Sequence, residues 1–357
     1  MKIVQILPTL NPGDATGNHT VALGKVLCEM GYQTEIYAEN ISPKCRGLCK
    51  HISQLPKLTS KDIVIYHKAI GTELSFQIAK YKAKKILDYH NITPPHFFKD
   101  YQASMVQFTE YGLQGAQYLA DKVDYCLADS DFNKKDLINM GYQCPIDVLP
   151  ILIPFSDYAQ TPDRDVLHRY LDGRTNIVFT GRIAPNKKQE DIIEAFYYYK
   201  KNCDDQARLF LVGSYGEEEP YYLRLRKYVE ELNVPDVYFT GHIPFSQILA
   251  YYRLADVFLC MSEHEGFCVP LVEAMYFRIP ILAYNSSAVP YTLGGSGLMF
   301  DEKDPMLVAK LIQRVVTDKA LRVQLVRGQS VRLEDFQYEK VKTMFQAYLH
   351  RFLKEIQ

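Results

Sequence analysis

The chain has 357 residues, with 41 basic against 42 acidic side chains and a formal net charge of −1 at pH 7. That length exceeds one ordinary core and suits two domains, and an apolar content of 47% lets each half bury its own. Near-neutral charge excludes a nucleic-acid partner held on a basic face, and no run approaches the roughly 18 apolar residues of a membrane span.

In chain order, residues 2–7 read as a strand that enters a glycine-bearing loop. The segment lacks the apolar stretch and small-residue cleavage site of a signal peptide, so a cytoplasmic protein is expected. The loop Asn11-Pro12-Gly13-Asp14-Ala15-Thr16-Gly17-Asn18-His19 leads into a helix over 17–30. Glycine permits close backbone approach and a helix N-terminus favours phosphate, which makes Gly17 a candidate ligand contact. A plain βα turn is the competing reading, and a G-x-G-x-x-G fingerprint is absent. Further strands fall near 33–38, 62–67, 85–89, 123–128 and 146–149, with helices near 72–81, 100–121 and 131–140.

Cys45 and Cys49 with His51 make a single C-x3-C without a second pair, a weak zinc signal, so no metal site is assigned. The eight cysteines are read as reduced thiols. Lys80-Tyr81-Lys82-Ala83-Lys84-Lys85 is the densest basic run and reads as a solvated helix face, with peripheral contact to anionic lipid or an acceptor phosphate as the alternative. His90 follows an apolar strand and precedes Asn91-Ile92-Thr93-Pro94-Pro95, which puts it at a strand's carboxyl end. Asp129-Ser130-Asp131 spells D-x-D, but it opens a helix, where Asp or Ser serves as an N-cap.

The boundary is placed in Pro150–Phe155 and the polar segment after it. This gives a first domain of residues 1–152 together with a last helix of about 338–357, and a second domain of 153–337. In the second domain, strands near 176–180, 208–213, 236–240, 256–261 and 280–284 repeat the alternation, which implies parallel sheets covered on both faces. The strand 176–180 ends in Gly181 and Arg182, with Lys187 just beyond. Two cations at a strand's carboxyl end suit a diphosphate. The strand 256–261 leads through Glu265-Gly266-Phe267-Cys268-Val269-Pro270 into a helix carrying Glu273. Proline fits a first helical turn, and the unpaired amides there receive hydroxyls or an anionic group.

These residues resemble the retaining glycosyltransferases of family 4, which have the α/β GT-B fold. The likeness runs through Gly181-Arg182-Ile183 with Lys187, Leu211-Val212-Gly213, Gly241-His242-Ile243, and Glu265-Gly266-Phe267 with Glu273-Ala274-Met275, over roughly residues 175 to 300. The resemblance implies two Rossmann-like domains facing across a cleft, with the final amphipathic helix crossing back to the first. It also implies a donor diphosphate on Arg182 and Lys187, a ribose on Glu273, and a donor sugar on Glu265, Gly266, Phe267 and Cys268. Backbone at Ile243 would meet the base, and His90 would touch the sugar. Cys268 and Lys188 stand where such families usually have glycine. The implied activity is transfer of a sugar from a UDP- or GDP-sugar to a glycan or lipid-linked acceptor hydroxyl, with no cofactor and no divalent metal, since two fixed cations replace one. A non-catalytic scaffold, a Rossmann oxidoreductase and a GT-B sugar phosphorylase are the rival classes.

Overall fold

The computed structural model describes residues 1–356, and the chain divides into two compact units. Unit 1 holds Met1–His96, Ala103–Phe155 and the segment from Asp335 onward, while unit 2 holds Phe97–Gln102 and Ser156–Glu334.

Unit 1 begins with β1 (Lys2–Leu10), α1 (Ala15–Glu29), β2 (Gln33–Ile41), β3 (Lys50–His51), β4 (Ile63–Lys68), α2 (Leu74–Ile78) and β5 (Lys84–Tyr89). It continues with α3 (Ala103–Tyr118), β6 (Tyr125–Ala128), α4 (Asp131–Asn139) and β7 (Ile146–Val148). The seven strands lie in the order β3-β2-β1-β4-β5-β6-β7, and every pair is parallel. The largely apolar β1 and the fully buried β4 suit strands buried on both faces. The Lys80–Lys85 run is not a helix face: it is a turn after α2 followed by the first residues of β5, where Lys84 pairs with Asp124 at 2.9 Å. Cys45 and Cys49 are buried against Leu7, Leu10 and Ala38 and serve packing.

Unit 2 contains α5 (Arg164–Tyr170), β8 (Asn176–Thr180), α6 (Gln189–Asn202), β9 (Arg208–Val212), α7 (Pro220–Glu231), β10 (Val237–Phe239) and α8 (Phe245–Leu254). After these come β11 (Val257–Cys260), α9 (Val269–Tyr276), β12 (Ile281–Tyr284), α10 (Val289–Leu293), β13 (Leu298–Phe300), α11 (Pro305–Thr317) and α12 (Lys319–Leu333). The order β10-β9-β8-β11-β12-β13 is again parallel throughout. Its reversal at β8 and β11 is a topological switch point, where open α/β sheets bind ligands at the strands' carboxyl ends. The two-residue edge strand β3 and the three-residue β13 went unread in the sequence.

The last helix, α13 (Tyr338–Glu355), belongs to unit 1. Val341, Phe345, Leu349, Phe352 and Leu353 recur at helical spacing and pack with α1's Leu23 and Val26 and with Ile63, Ile65 and Ile86 of the sheet. Burial of each is worth about 1.5–3 kcal/mol, so α13 is part of this core. Phe345→Ala is expected to destabilise unit 1 by about 3–5 kcal/mol through the cavity it leaves, read as a lower urea midpoint.

Candidate active site

In unit 2 the carboxyl ends of β8, β9 and β11 bring the predicted residues together. Gly213 after β9 has no room for a side chain: a Cβ there would lie 2.0 Å from the Gly181 carbonyl oxygen. That close crossing presses the β9 loop onto the Gly181–Arg182 turn. Arg182 is half exposed, and its guanidinium donates to Glu219 at 3.2 Å. Pro185–Lys187 forms a single 3-10 turn that points Lys187 inward, where Nζ donates to Glu265 Oε2 at 2.6 Å. Burial disfavours the Lys187 ammonium, but the Glu265 carboxylate overrides it, and the lysine pKa is raised.

The loop between β11 and α9 is pinned from several sides. Asn186 donates to the His264 carbonyl at 2.9 Å and accepts from the Glu263 amide, and the Glu265 amide donates to Ser287 Oγ at 2.9 Å. Glu265 is buried, as are Phe267 and Cys268, and the Phe267 carbonyl accepts from the Thr292 hydroxyl. Glu273 lies on α9, where Oε1 accepts from the Tyr158 hydroxyl at 2.8 Å and Oε2 from the Tyr252 hydroxyl. Burial pushes the Glu273 carboxyl up, opposed by those two hydroxyls. Ile243 follows Gly241 (φ +69°) after β10 and packs partly buried beside Val212 and Tyr251.

Both positions where glycine was expected adopt left-handed backbone: Lys188 has φ 54° and ψ 49°, and Cys268 has φ 71° and ψ 67°. Each stands immediately before a helix, α6 and α9, and the reversed φ turns the chain sharply from loop into helix. A side chain there costs on the order of 1 kcal/mol. Lys188→Gly is therefore expected to be more stable than Lys188→Ala by about 1 kcal/mol in chemical denaturation, since both lose the long contacts of Lys188 to Glu190 and Glu263 (3.7 and 3.6 Å).

Gly17 and His90 belong to unit 1. Gly17 lies inside the first turn of α1; its amide is taken by Asp14 Oδ2 at 2.9 Å, and a Cβ there would sit 3.0 Å from Leu10 Cδ1. The turn reading holds, and this glycine serves close helix–strand packing. His90 is not a free ligand. Its Nδ1 donates to Asp129 at 2.9 Å, its Nε2 lies 3.1 Å from His67 Nδ1, and only 3% of its side chain is exposed.

The rings of His67 and His90 lie within 6° of one plane with centroids 5.4 Å apart, so the two facing nitrogens sit on the line of centres. That is the alignment of an N–H···N bond, with Asp88 Oδ2 3.1 Å from His67 Nδ1 and 3.6 Å from His90 Nε2. His67 Nε2 lies 2.9 Å from Gln5 Oε1, and its Nδ1 lies 3.1 Å from both His90 Nε2 and Asp88 Oδ2. The Leu152 amide donates to His19 Nδ1 at 2.8 Å, so His19 Nε2 donates to Asp88 at 3.1 Å. Burial opposes charge on His90, yet Asp129 and Asp88 raise its pKa to about 9. The D-x-D divides its labour: Asp129 is that buried partner, and Ser130 caps α4 by accepting from the Asn133 amide.

Residues 168–329 match the model of the glycosyl transferases of group 1. That stretch of the chain is similar to this group. Among curated relatives, this chain is 25% identical to an O-antigen chain mannosyltransferase B of Escherichia coli over 231 residues, covering 62% of the chain and 59% of that protein. It is 28% identical to a D-inositol 3-phosphate glycosyltransferase of Corynebacterium jeikeium over 224 residues, 58% and 53% of the two. The chain thus spans somewhat over half the length of these curated relatives. Among solved structures, sucrose-phosphate synthase of Thermosynechococcus elongatus superposes with a TM-score of 0.76 at 16% identity, over 99% of this chain and 100% of that one. HepE of Anabaena, solved in complex with UDP and glucose, gives 0.77 at 16% identity over 98% and 100%. These likenesses establish the GT-B fold.

The residues that sequence reasoning missed are the partners. Tyr158, Tyr252, Ser287 and Glu219 each hold a predicted site residue, but they come from separate elements and carry no motif of their own. Among the described residues no helix is long and apolar enough to cross a membrane.

Proposed function

We propose that the chain is a retaining family 4 glycosyltransferase that moves a sugar from a UDP- or GDP-sugar to a glycan or lipid-linked acceptor hydroxyl without a divalent metal. The observation that carries this reading is the pairing of Lys187 with the buried Glu265, with the half-exposed Arg182 on the same β8 loop as Lys187. Glycosidic cleavage loads charge onto the leaving diphosphate. Cations fixed beforehand stabilise that charge more in the transition state than in the ground state. Arg182 offers a planar fork and Lys187 a point charge, and together they supply what a metal ion would otherwise provide. Because Lys187 and Glu265 share one hydrogen bond, the diphosphate and sugar subsites adjoin, and Lys187 trades part of its contact with Glu265 for phosphate when donor arrives. Glu273, oriented by two tyrosines, takes the ribose hydroxyls.

Relatives named as mannosyltransferases include a GDP-mannose-dependent phosphatidylinositol monomannoside mannosyltransferase of Mycobacterium tuberculosis, and HepE was solved with UDP-glucose. Their chemistry supports a nucleotide-sugar donor and an acceptor on a glycan or lipid, the latter met at the inner face of a membrane. Calorimetric titration with UDP, GDP and ADP in EDTA tests the reading. Micromolar binding of one nucleotide is expected and names the base. Absence of binding by all three overturns it in favour of a scaffold.

A further inference from the structure

Two cysteines flank the loop that carries Glu265, Gly266 and Phe267: Cys260 ends β11 and Cys268 immediately precedes α9. Their sulfurs and a Glu265 carboxylate oxygen all lie within 4.8 Å of one another, and the Cys260 thiol donates to Ser262 Oγ at 3.5 Å. Both are free thiols, fully buried at Cys260 and 6% exposed at Cys268. Taking the trio as a metal cradle fails on charge. The Lys187 ammonium already sits 2.6 Å from Glu265, so the local cation is the lysine.

We propose that Cys260 and Cys268 are a site of reversible disulfide modification that controls the donor loop. The bond itself follows from the position of the thiols, and only its consequence for ligand binding rests on the function proposed above. The co-reactant is a low-molecular-weight disulfide such as oxidised glutathione. The more exposed Cys268 gives up its proton, and its thiolate attacks one sulfur of that disulfide and expels a glutathione thiolate, which takes up a proton. Cys260 then loses its proton and attacks the Cys268 sulfur, expelling the second glutathione. Two protein thiols are oxidised by two electrons, and one disulfide is reduced to two thiols. A disulfide needs sulfurs about 2 Å apart and Cβ atoms about 3.8 Å apart, so closure draws Cys268 toward the end of β11. The amides of residues 266–268 move with it. Displacement of a positioning group by about 1 Å costs on the order of 100-fold.

A second close thiol pair, Cys126 and Cys144 with sulfurs 3.5 Å apart, is removed from the experiment by Cys144→Ala. The full chain in that background is treated with oxidised glutathione, digested and mapped by mass spectrometry, and in parallel titrated with UDP and GDP. A peptide linking Cys260 to Cys268, two hydrogens lighter than the thiol pair and reversed by dithiothreitol, is expected. Nucleotide-diphosphate binding should weaken at least tenfold, while added Cys260→Ala binds as the reduced parent does and ignores the oxidant. Free thiols at 260 and 268 under conditions that modify the exposed Cys28 and Cys203 would overturn the proposal. A linked peptide with unchanged binding would overturn control of the loop. Should the reduced chain bind neither nucleotide, the donor reading fails, and the peptide map alone still decides whether the bond forms.

Discussion

Lys187→Ala is expected to lower turnover by about 100- to 1,000-fold, the usual cost of deleting one preorganised donor to developing charge. The loss has two physical sources that experiment separates. One is chemical, since the leaving diphosphate loses a cation fixed in advance. The other is structural: Glu265, whose side chain is only 8% exposed, loses its 2.6 Å partner. Breaking a buried pair from one side costs about 3–5 kcal/mol, because the remaining charge stays uncompensated. The single variant should therefore melt lower as well as turn over more slowly. Pairing Lys187→Met with Glu265→Gln removes the orphaned charge, so stability should largely return while activity does not. Activity within threefold of the parent in Lys187→Ala would break the diphosphate assignment.

The charged members of this site were legible because their chemistry is local. Arg182, Lys187, Glu265 and Glu273 each follow a strand or open a helix, and strand–turn–helix boundaries show in apolar runs, glycine and proline. Their orientation was not legible. Tyr158 and Tyr252 reach Glu273 from 115 and 21 residues away, and only folding reveals that both carboxylate oxygens are held. The same limit hid the surroundings of His90. Its position at the end of β5 was readable, but the partners that occupy its ring, His67 and Asp129, lie 23 and 39 residues away.

At the level of the fold, parallel strands with long apolar runs announced themselves. Phe97–Gln102 did not: its residues read as the approach to a helix of the first domain, yet they pack in unit 2, where the Tyr101 ring stands edge-on to Tyr221 at 5.1 Å. Nothing in six residues of sequence states which of two cores they join. The left-handed backbone at Lys188 and Cys268 was hidden for the opposite reason, because the residue types there conceal a conformation that glycine would have advertised.

Lys68→Met is expected to stabilise unit 1 by about 3 kcal/mol at neutral pH. Lys68 ends β4 with its side chain fully buried, and among the described residues its ammonium donates only to the Ile70 carbonyl, at 2.9 Å, with no carboxylate partner. Burial pulls its pKa down to about 7. At and below that pH, folding must bury the charge or strip the proton, and the full penalty, on the order of 4 kcal/mol, is present. As pH rises from 7 toward the ordinary lysine value, the unfolded chain still binds the proton and the folded one does not. Folding stability attributable to Lys68 therefore rises by about 1.4 kcal/mol per pH unit. Methionine keeps the volume, removes the charge and leaves the half-exposed Ile70 segment to water. His90 acts in the opposite sense: with its pKa raised to about 9, its contribution is complete below the ordinary histidine value and is lost as pH climbs through 9. Between pH 7 and 9 the two slopes oppose each other in the parent, so the informative quantity is the difference between variant and parent. That difference, from urea unfolding at several pH values, should be largest at pH 7 and shrink toward zero near 10.5. A difference that stays constant over this range would mean that Lys68 carries its proton throughout, and that the site solvates the charge by some route other than the Ile70 carbonyl.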